Sequence, residues 1–74
     1  MTRYEMEMKV KDYIAYDDHR LEDYSDIEIC CREDYHDALR LMDDRVEHST
    51  DEELIAFCKA IDTNAVDYMI HGCR

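Results

Sequence analysis

Residues 3–11 read RYEMEMKVK, and the fold class depends on how this stretch is interpreted. Apolar and charged side chains alternate here at every position. In an extended chain the apolar residues would share one side, namely Tyr4, Met6, Met8 and Val10. A period of two over nine residues is typical of a half-buried strand. The stretch therefore predicts a first β-strand.

A helix is the competing interpretation of the same stretch. Thr2 and Glu5 fit a capping box, and two Glu–Lys pairs stand four residues apart, as favourable helical ion pairs do. A helix, however, would turn Tyr4 and Met8 away from Met6. Because the alternation includes every position, the strand is preferred.

A second short strand is predicted after a polar connection at residues 17–25. Ile27, Ile29 and Cys31 alternate with more polar neighbours, so residues 27–32 could pair antiparallel with the first strand. Ser25 and Glu28 also fit a capping box, which leaves an early helix start as the alternative.

Two helices are predicted downstream. Over residues 34–47 one apolar stripe recurs at helical spacing, formed by Tyr35, Ala38, Leu39, Met42 and Val46. In STDEELIAFCKAI, Ser49 or Thr50 is the expected N-cap, and the inner stripe is Leu54, Phe57, Cys58 and Ile61. Residues 62–64 predict a break, and residues 65–72 a third strand or a last helical turn.

These elements predict a small α+β domain, with an antiparallel sheet of two or three strands packed against two helices. An all-α bundle is the alternative. With 74 residues, one Gly and no Pro, the chain is expected to form a single domain, residues 1–74. It shows neither a membrane span nor a signal peptide, so a cytoplasmic location with reduced cysteines is expected.

The negative charge is concentrated in the middle of the chain. The formal net charge is -11. Residues 1–16 and residues 54–74 are each neutral, whereas residues 17–53 contain fifteen carboxylates and four arginines. Such a surface repels phosphate, which argues against direct binding to nucleic acid or anionic membranes. A basic partner is expected instead.

Metal binding and catalysis are both disfavoured. Cys31 and His36 are the only near match to the ligand spacing of a structural zinc site, and no calcium-binding loop is present. Carboxylates around a cysteine raise the pKa of its thiol and weaken it as a nucleophile. No recognised catalytic motif occurs. The sequence predicts neither an enzyme nor a cofactor.

The acidic segment could simply be a solvated face, but its concentration favours a binding role. Carboxylates four residues apart on a helix are separated by about 6 Å along its axis, within a factor of two of the phosphate spacing on a DNA strand. An array of this kind could occupy the basic channel of a nucleic-acid-binding protein. The candidate partner-binding residues are Asp17, Asp18, Glu22, Asp23, Glu33, Asp37, Asp43, Asp44 and Glu47.

In size, charge and the acidic segment 17–53, the chain resembles the small acidic inhibitors of bacteriophages and mobile elements, that is, anti-CRISPR proteins and other DNA mimics. The resemblance is one of class, because no motif assigns a particular family. It implies a non-enzymatic inhibitor that blocks a basic nucleic-acid-binding protein or complex.

The alternative function is a structural or adaptor protein. Six Tyr against one Phe is an unusual ratio, and Tyr is favoured at protein interfaces. Four of the six crowd the N-terminal part of the chain, at Tyr4, Tyr13, Tyr16 and Tyr24. They could dock a partner or a second copy of the chain, unless Tyr4 lines the core and the others cover it.

Overall fold

The structure is a computed structural model and describes residues 1–64, which form four helices and contain no strand. They are α1 (Arg3–Ala15), α2 (Asp18–Ser25), α3 (Arg32–Glu47) and α4 (Asp51–Asp62). The predicted α+β fold with a sheet is therefore wrong, and the all-α alternative fits. The third strand predicted within residues 65–72 lies outside the described residues.

The stretch RYEMEMKVK is helical because its ends and its packing favour a helix over the alternation. Thr2 Oγ1 accepts a hydrogen bond from the Glu5 backbone N–H at 3.2 Å, and Glu5 Oε1 accepts one from the Thr2 N–H at 3.1 Å. This capping box satisfies two backbone donors of the first turn. Met6 and Val10, and Ile14 one turn further, are spaced by four residues and are all buried. Tyr4 and Met8, the other two apolar residues of the alternation, are exposed to solvent.

Ion pairs attach α1 to two other helices. Arg3 Nη1 lies 2.6 Å from Asp51 Oδ1, and Lys9 Nζ lies 2.7 Å from Asp62 Oδ1, so α1 and α4 run in the same direction. On its other flank, Lys11 Nζ lies 3.4 Å from Glu47 Oε2 of α3. Helix α1 packs against all three of the other helices, and α2 also packs against α3.

The segment predicted as a polar connection and a second strand contains a helix followed by irregular chain. Asp17 caps α2, and Asp26 ends it in the left-handed conformation with φ 60°. The alternative capping box of Ser25 is not formed, because Ser25 is the last residue of α2 and the next helix begins only at Arg32. The Ser25 hydroxyl instead donates to the Leu21 carbonyl at 2.6 Å. Residues 27–31 then connect α2 to α3 without a ladder partner. The predicted strand at 27–32 is therefore also wrong.

The two predicted helices are confirmed. Helix α3 begins two residues before the predicted start and ends at Glu47. At α4, Thr50 is the N-cap, and Glu53 completes its capping box. The predicted break is also confirmed, since α4 ends at Asp62 and Asn64 has φ 58°.

The buried apolar side chains form one cluster to which every helix contributes. They are Met6, Val10, Ile14, Leu21, Ala38, Met42, Val46, Leu54, Phe57, Cys58 and Ala60. Tyr24 of α2 reaches α4, where its ring meets Phe57 edge-on at 6.3 Å between centroids. The polar Ser25 is buried in the same region with its hydrogen bonds satisfied. Helix α3 thus turns one side to this core and the opposite side to solvent.

Candidate protein-binding surfaces

The outer side of α3 carries carboxylates opposite the buried stripe. With a rotation of about 100° per residue, Glu33, Asp37 and Asp44 lie on the side facing away from Met42. All three are exposed. From Glu33 to Asp44 the axis rises about 16 Å. Three of the nine predicted binding residues therefore share one solvent-facing side of a single helix.

The same helix borders an open hollow with a partly apolar lining. It has a volume of about 450 Å³ and is lined by Ile27, Asp37, Arg40, Leu41 and Asp44. Ile27 belongs to the connection between α2 and α3, which side chains of α2 hold in place. The Ile27 N–H donates to Ser25 Oγ at 3.3 Å, and the Ile29 N–H donates to Glu22 Oε2 at 2.9 Å.

Three charged residues stand on successive turns beside this hollow, in the order Asp37, Arg40, Asp44. Arg40 forms no ion pair with any side chain of residues 1–64. Asp44 faces His48, whose Nδ1 lies 2.8 Å from the Asp44 carbonyl oxygen and 3.4 Å from Oδ1. The hydrogen bond to this carbonyl and the nearby carboxylates raise the pKa of His48 above its ordinary value.

Four of the predicted binding acids stabilise the protein itself. Asp17 Oδ1 accepts from the His19 N–H at 2.8 Å as the N-cap of α2, and Glu22 holds the connection after it. Asp43 and Glu47 lie 3.8 Å and 3.4 Å from Lys11 Nζ. Their carboxylates point towards α1, and so they do not extend the outer face of α3.

The two remaining predicted acids, Asp18 and Asp23, are exposed on α2. Asp18 stands in the first turn of that helix, where its charge complements the helix dipole. The nine predicted residues are therefore divided among the α2 surface, the flank between α1 and α3, and the outer side of α3.

Sequence reasoning missed three residues that line the hollow. Ile27 was assigned to a strand, and Arg40 and Leu41 were given no role in binding. One signal for Leu41 is visible in the sequence, since it is a large apolar residue that lies outside the buried stripe of α3. Its side chain is only half-buried, at the edge of the hollow.

Two further large side chains are exposed on α1. Tyr4 is 71% exposed and Met8, one turn later, is 38% exposed, both on the side opposite the buried stripe. The alternative in which Tyr4 lines the core is therefore wrong. Tyr16, directly after the helix, is 86% exposed. Tyr13 is partly covered by Arg20, whose guanidinium carbon lies 4.0 Å from the ring centroid.

The cysteines among the described residues are free thiols, two of them exposed and one buried. The negative charge of the neighbouring Glu28 carboxylate is the main reason why the pKa of the Cys30 thiol is raised. Burial raises the pKa of Cys58, whose Sγ donates to the Met6 carbonyl at 3.8 Å. Protonated thiols are weak nucleophiles. No three metal-ligating side chains come together within residues 1–64.

Comparison with protein-family models, with curated proteins and with solved structures finds no match. No helix within residues 1–64 has the length and apolarity needed to cross a bilayer. A function is therefore assigned from the geometry of two surfaces: the outer side of α3 with its hollow, and the outer side of α1 with Tyr4 and Met8.

Proposed function

We propose that the protein is a small, non-enzymatic adaptor that binds a partner protein through Tyr4 and Met8 on the outer side of α1. The observation that carries the proposal is the exposure of these two large side chains on adjacent turns. Tyrosine and methionine are enriched where proteins meet, because both bury much apolar area and the tyrosine hydroxyl tolerates residual water.

The charge of the protein around Tyr4 and Met8 indicates the charge that a partner should have. All three cations of α1 are engaged in ion pairs with carboxylates of the protein: Arg3 with Asp51, Lys9 with Asp62, and Lys11 with Glu47. The outer side of α1 therefore offers no uncommitted positive charge. A second copy would bring another formal charge of -11 to this side. A neutral or basic protein of different sequence suits it better.

A differential capture experiment tests the adaptor proposal. The immobilised protein is exposed to a lysate of its source, and the double variant Tyr4→Ala, Met8→Ala is compared with wild type. We expect the captured partner to bind the variant at least about fivefold more weakly, since truncating a tyrosine at an interface centre costs about 1 kcal/mol or more.

The matched control is Ile55→Ala, which removes an exposed aliphatic side chain from α4 instead. It should retain the partner, and circular dichroism should show both variants folded. Retention of the same partner by the double variant at full affinity would overturn the proposal. The affinity ratio of wild type to the double variant should also change little with salt, because it reports the two uncharged side chains.

The second candidate function is inhibition of a basic nucleic-acid-binding protein by mimicry of nucleic acid. The observation that favours it is the exposure of Glu33, Asp37 and Asp44 on one side of α3. Here the triple variant Glu33→Gln, Asp37→Asn, Asp44→Asn should release the partner, and wild-type binding should weaken steeply between low and physiological salt. Salt-independent binding that survives the triple change excludes mimicry for that partner.

Both candidates share a cytoplasmic location and the absence of catalysis and of a cofactor. The exposed free thiols Cys30 and Cys31 suit a reducing compartment. The raised pKa of the Cys30 thiol suits a protein that does not use this cysteine as a nucleophile.

A further inference from the structure

The hollow beside α3 differs from a plain acidic surface because it combines an apolar floor with ordered charges. Ile27 and Leu41 supply the floor, and Asp37, Arg40 and Asp44 supply charges in the order negative, positive, negative. The spacings of three and four residues correspond to about 4.5 and 6 Å along the helix axis. This second surface is independent of Tyr4 and Met8.

The geometry points to the occupant: an amphipathic α-helix of a partner protein, with an aliphatic side chain seated between Ile27 and Leu41. Along its edge this helix carries a basic, an acidic and a second basic residue on successive turns. These would meet Asp37, Arg40 and Asp44 respectively. The site goes beyond the proposed function and gives the adaptor a second binding surface.

The size of the hollow favours a helix over a single inserted side chain. It is open to solvent along α3 and has a volume of about 450 Å³, which is more than one inserted side chain fills. A helix in a groove presents such a set from positions i, i+3 or i+4, and i+7. Asp37, Arg40 and Asp44, which form the charged rim of the hollow, have the same spacing. Charged residues at these positions of the partner helix can therefore each meet one residue of the rim.

Charge and lining argue against a nucleic acid as the occupant. The two carboxylates of the rim would repel phosphates. Single-stranded nucleic acids bind by stacking bases on aromatic rings, whereas the floor here is aliphatic. The basic residues of a protein helix would meet Asp37 and Asp44, and their aliphatic stems could cover Ile27 and Leu41.

Arg40 distinguishes an alternating partner from a uniformly basic one. It stands between two acids on its own helix, yet no side chain of residues 1–64 forms an ion pair with it. Its guanidinium is therefore available to an acidic residue of the incoming helix. A partner with a third basic residue at that point would instead be repelled.

Two designed peptides test the inference. Both are Ala-based helices of about 18 residues, a length at which such helices form, with leucines on the facing side. One carries Lys, Glu and Lys on successive turns, and the other carries three Lys. Titration of the isotope-labelled protein is followed through its Ile27 and Leu41 methyl signals at physiological salt, where the long-range attraction of the three-Lys peptide to the net charge of the protein is screened. We expect both signals to shift, and the alternating peptide to bind about fivefold more tightly.

The variant Arg40→Gln should abolish this preference, whereas the matched change Arg32→Gln, at the first residue of α3, should preserve it. Equal or tighter binding of the three-Lys peptide would overturn the charge pattern. Absence of shifts at Ile27 and Leu41 with either peptide would overturn the docking site, as would shifts of these two signals when a single-stranded oligonucleotide is titrated without any peptide. None of these results bears on the proposed binding through Tyr4 and Met8, which the capture experiment with the double variant tests separately.

Discussion

Helices α1 and α3 lie side by side and each buries one side in the core, but they use charge in different ways. In α1 every cation is bound to a carboxylate, for example Arg3 to Asp51 and Lys11 to Glu47. In α3 the acids divide between two sides. Asp43 and Glu47 turn towards α1, whereas Glu33 and Asp37 face solvent.

This difference shows that segment charge and surface charge are distinct quantities. Residues 1–16 are neutral in sum, yet their cations neutralise acids of α3 and α4. The carboxylates of residues 17–53 that no cation of α1 neutralises include those on α2, on the outer side of α3 and in the first turn of α4. The exposed side of α1 carries Tyr4 and Met8 together with Glu5 and Asp12.

The largest expected effect concerns the two methionines of α1. Met6 is 8% exposed and Met8 is 38% exposed. Replacing Met6 with Ala should lower the free energy of unfolding by about 2–3 kcal/mol, because a buried side chain and its contacts are lost. Met8→Ala should change it by about 0.5 kcal/mol or less. Urea denaturation measures both, and equal large losses would support a strand in which the two residues share a buried side.

These methionines also show why the sequence of α1 was predicted to be a strand. Met6, Val10 and Ile14 are four residues apart and form a narrow helical stripe, but the first two also belong to an alternating series with Tyr4 and Met8. A period of two contains the period of four, so the pattern alone did not separate strand from helix. The capping box at Thr2 and the packing of α4 against α1 decide for the helix.

Helix α3 and the capping of α4 were predictable because the main signal of each has a single interpretation. The apolar stripe of α3 has helical spacing only, and Thr50 with Glu53 matches the observed capping box. The exposed acids Glu33, Asp37 and Asp44 followed from the same helical geometry. The hollow did not, because it needs the connection between α2 and α3 to place Ile27 on the same hollow as Leu41, an arrangement that no sequence period encodes.

Helix capping provides the second contrast between α1 and α3. Thr2 caps α1 with its side chain, whereas Cys31, the N-cap of α3, makes no side-chain hydrogen bond. Thr2→Ala should lower the free energy of unfolding by about 1 kcal/mol. Cys31→Ser should raise it by about 0.5–1 kcal/mol, because serine accepts a bond from a first-turn N–H. If thermal denaturation finds Cys31→Ser destabilising, the cap of α3 depends on the thiol in a way that geometry does not explain.

The ion pairs of Lys11 test the contrast in charge directly. Replacing Lys11 with Met removes its contacts with Asp43 and Glu47, which should lower the free energy of unfolding by about 0.5 kcal/mol at low salt and less at high salt. The matched change Arg40→Met should have a smaller effect, because Arg40 has no ion pair within residues 1–64. Denaturation at two salt concentrations measures both, and a larger loss from Arg40 would reverse the contrast.

The smallest expected effect is a pH dependence from His48 at the C-terminal end of α3; α1, which ends at Ala15, has no histidine at its end. The Asp44 carbonyl and carboxylate, together with the Glu47 charge, raise the pKa of His48 above 6.5. A raised pKa in the folded state adds stability that is complete below the unfolded pKa and is lost as pH rises through the folded value. Wild type should therefore exceed His48→Gln in stability by more at about pH 5.5 than at about pH 8.5.

The acidic end of the pH range does not interfere with this comparison. The pKa values of Glu5 and Glu53 are lowered by their hydrogen bonds to Thr2 and Thr50, so their contributions are lost only as pH falls through those lowered values, below 4.5. Paired denaturation curves of wild type and His48→Gln at the two pH values isolate the histidine. A difference that stays constant between them would show that His48 acts through packing alone, and that the acids of α3 do not hold its charge.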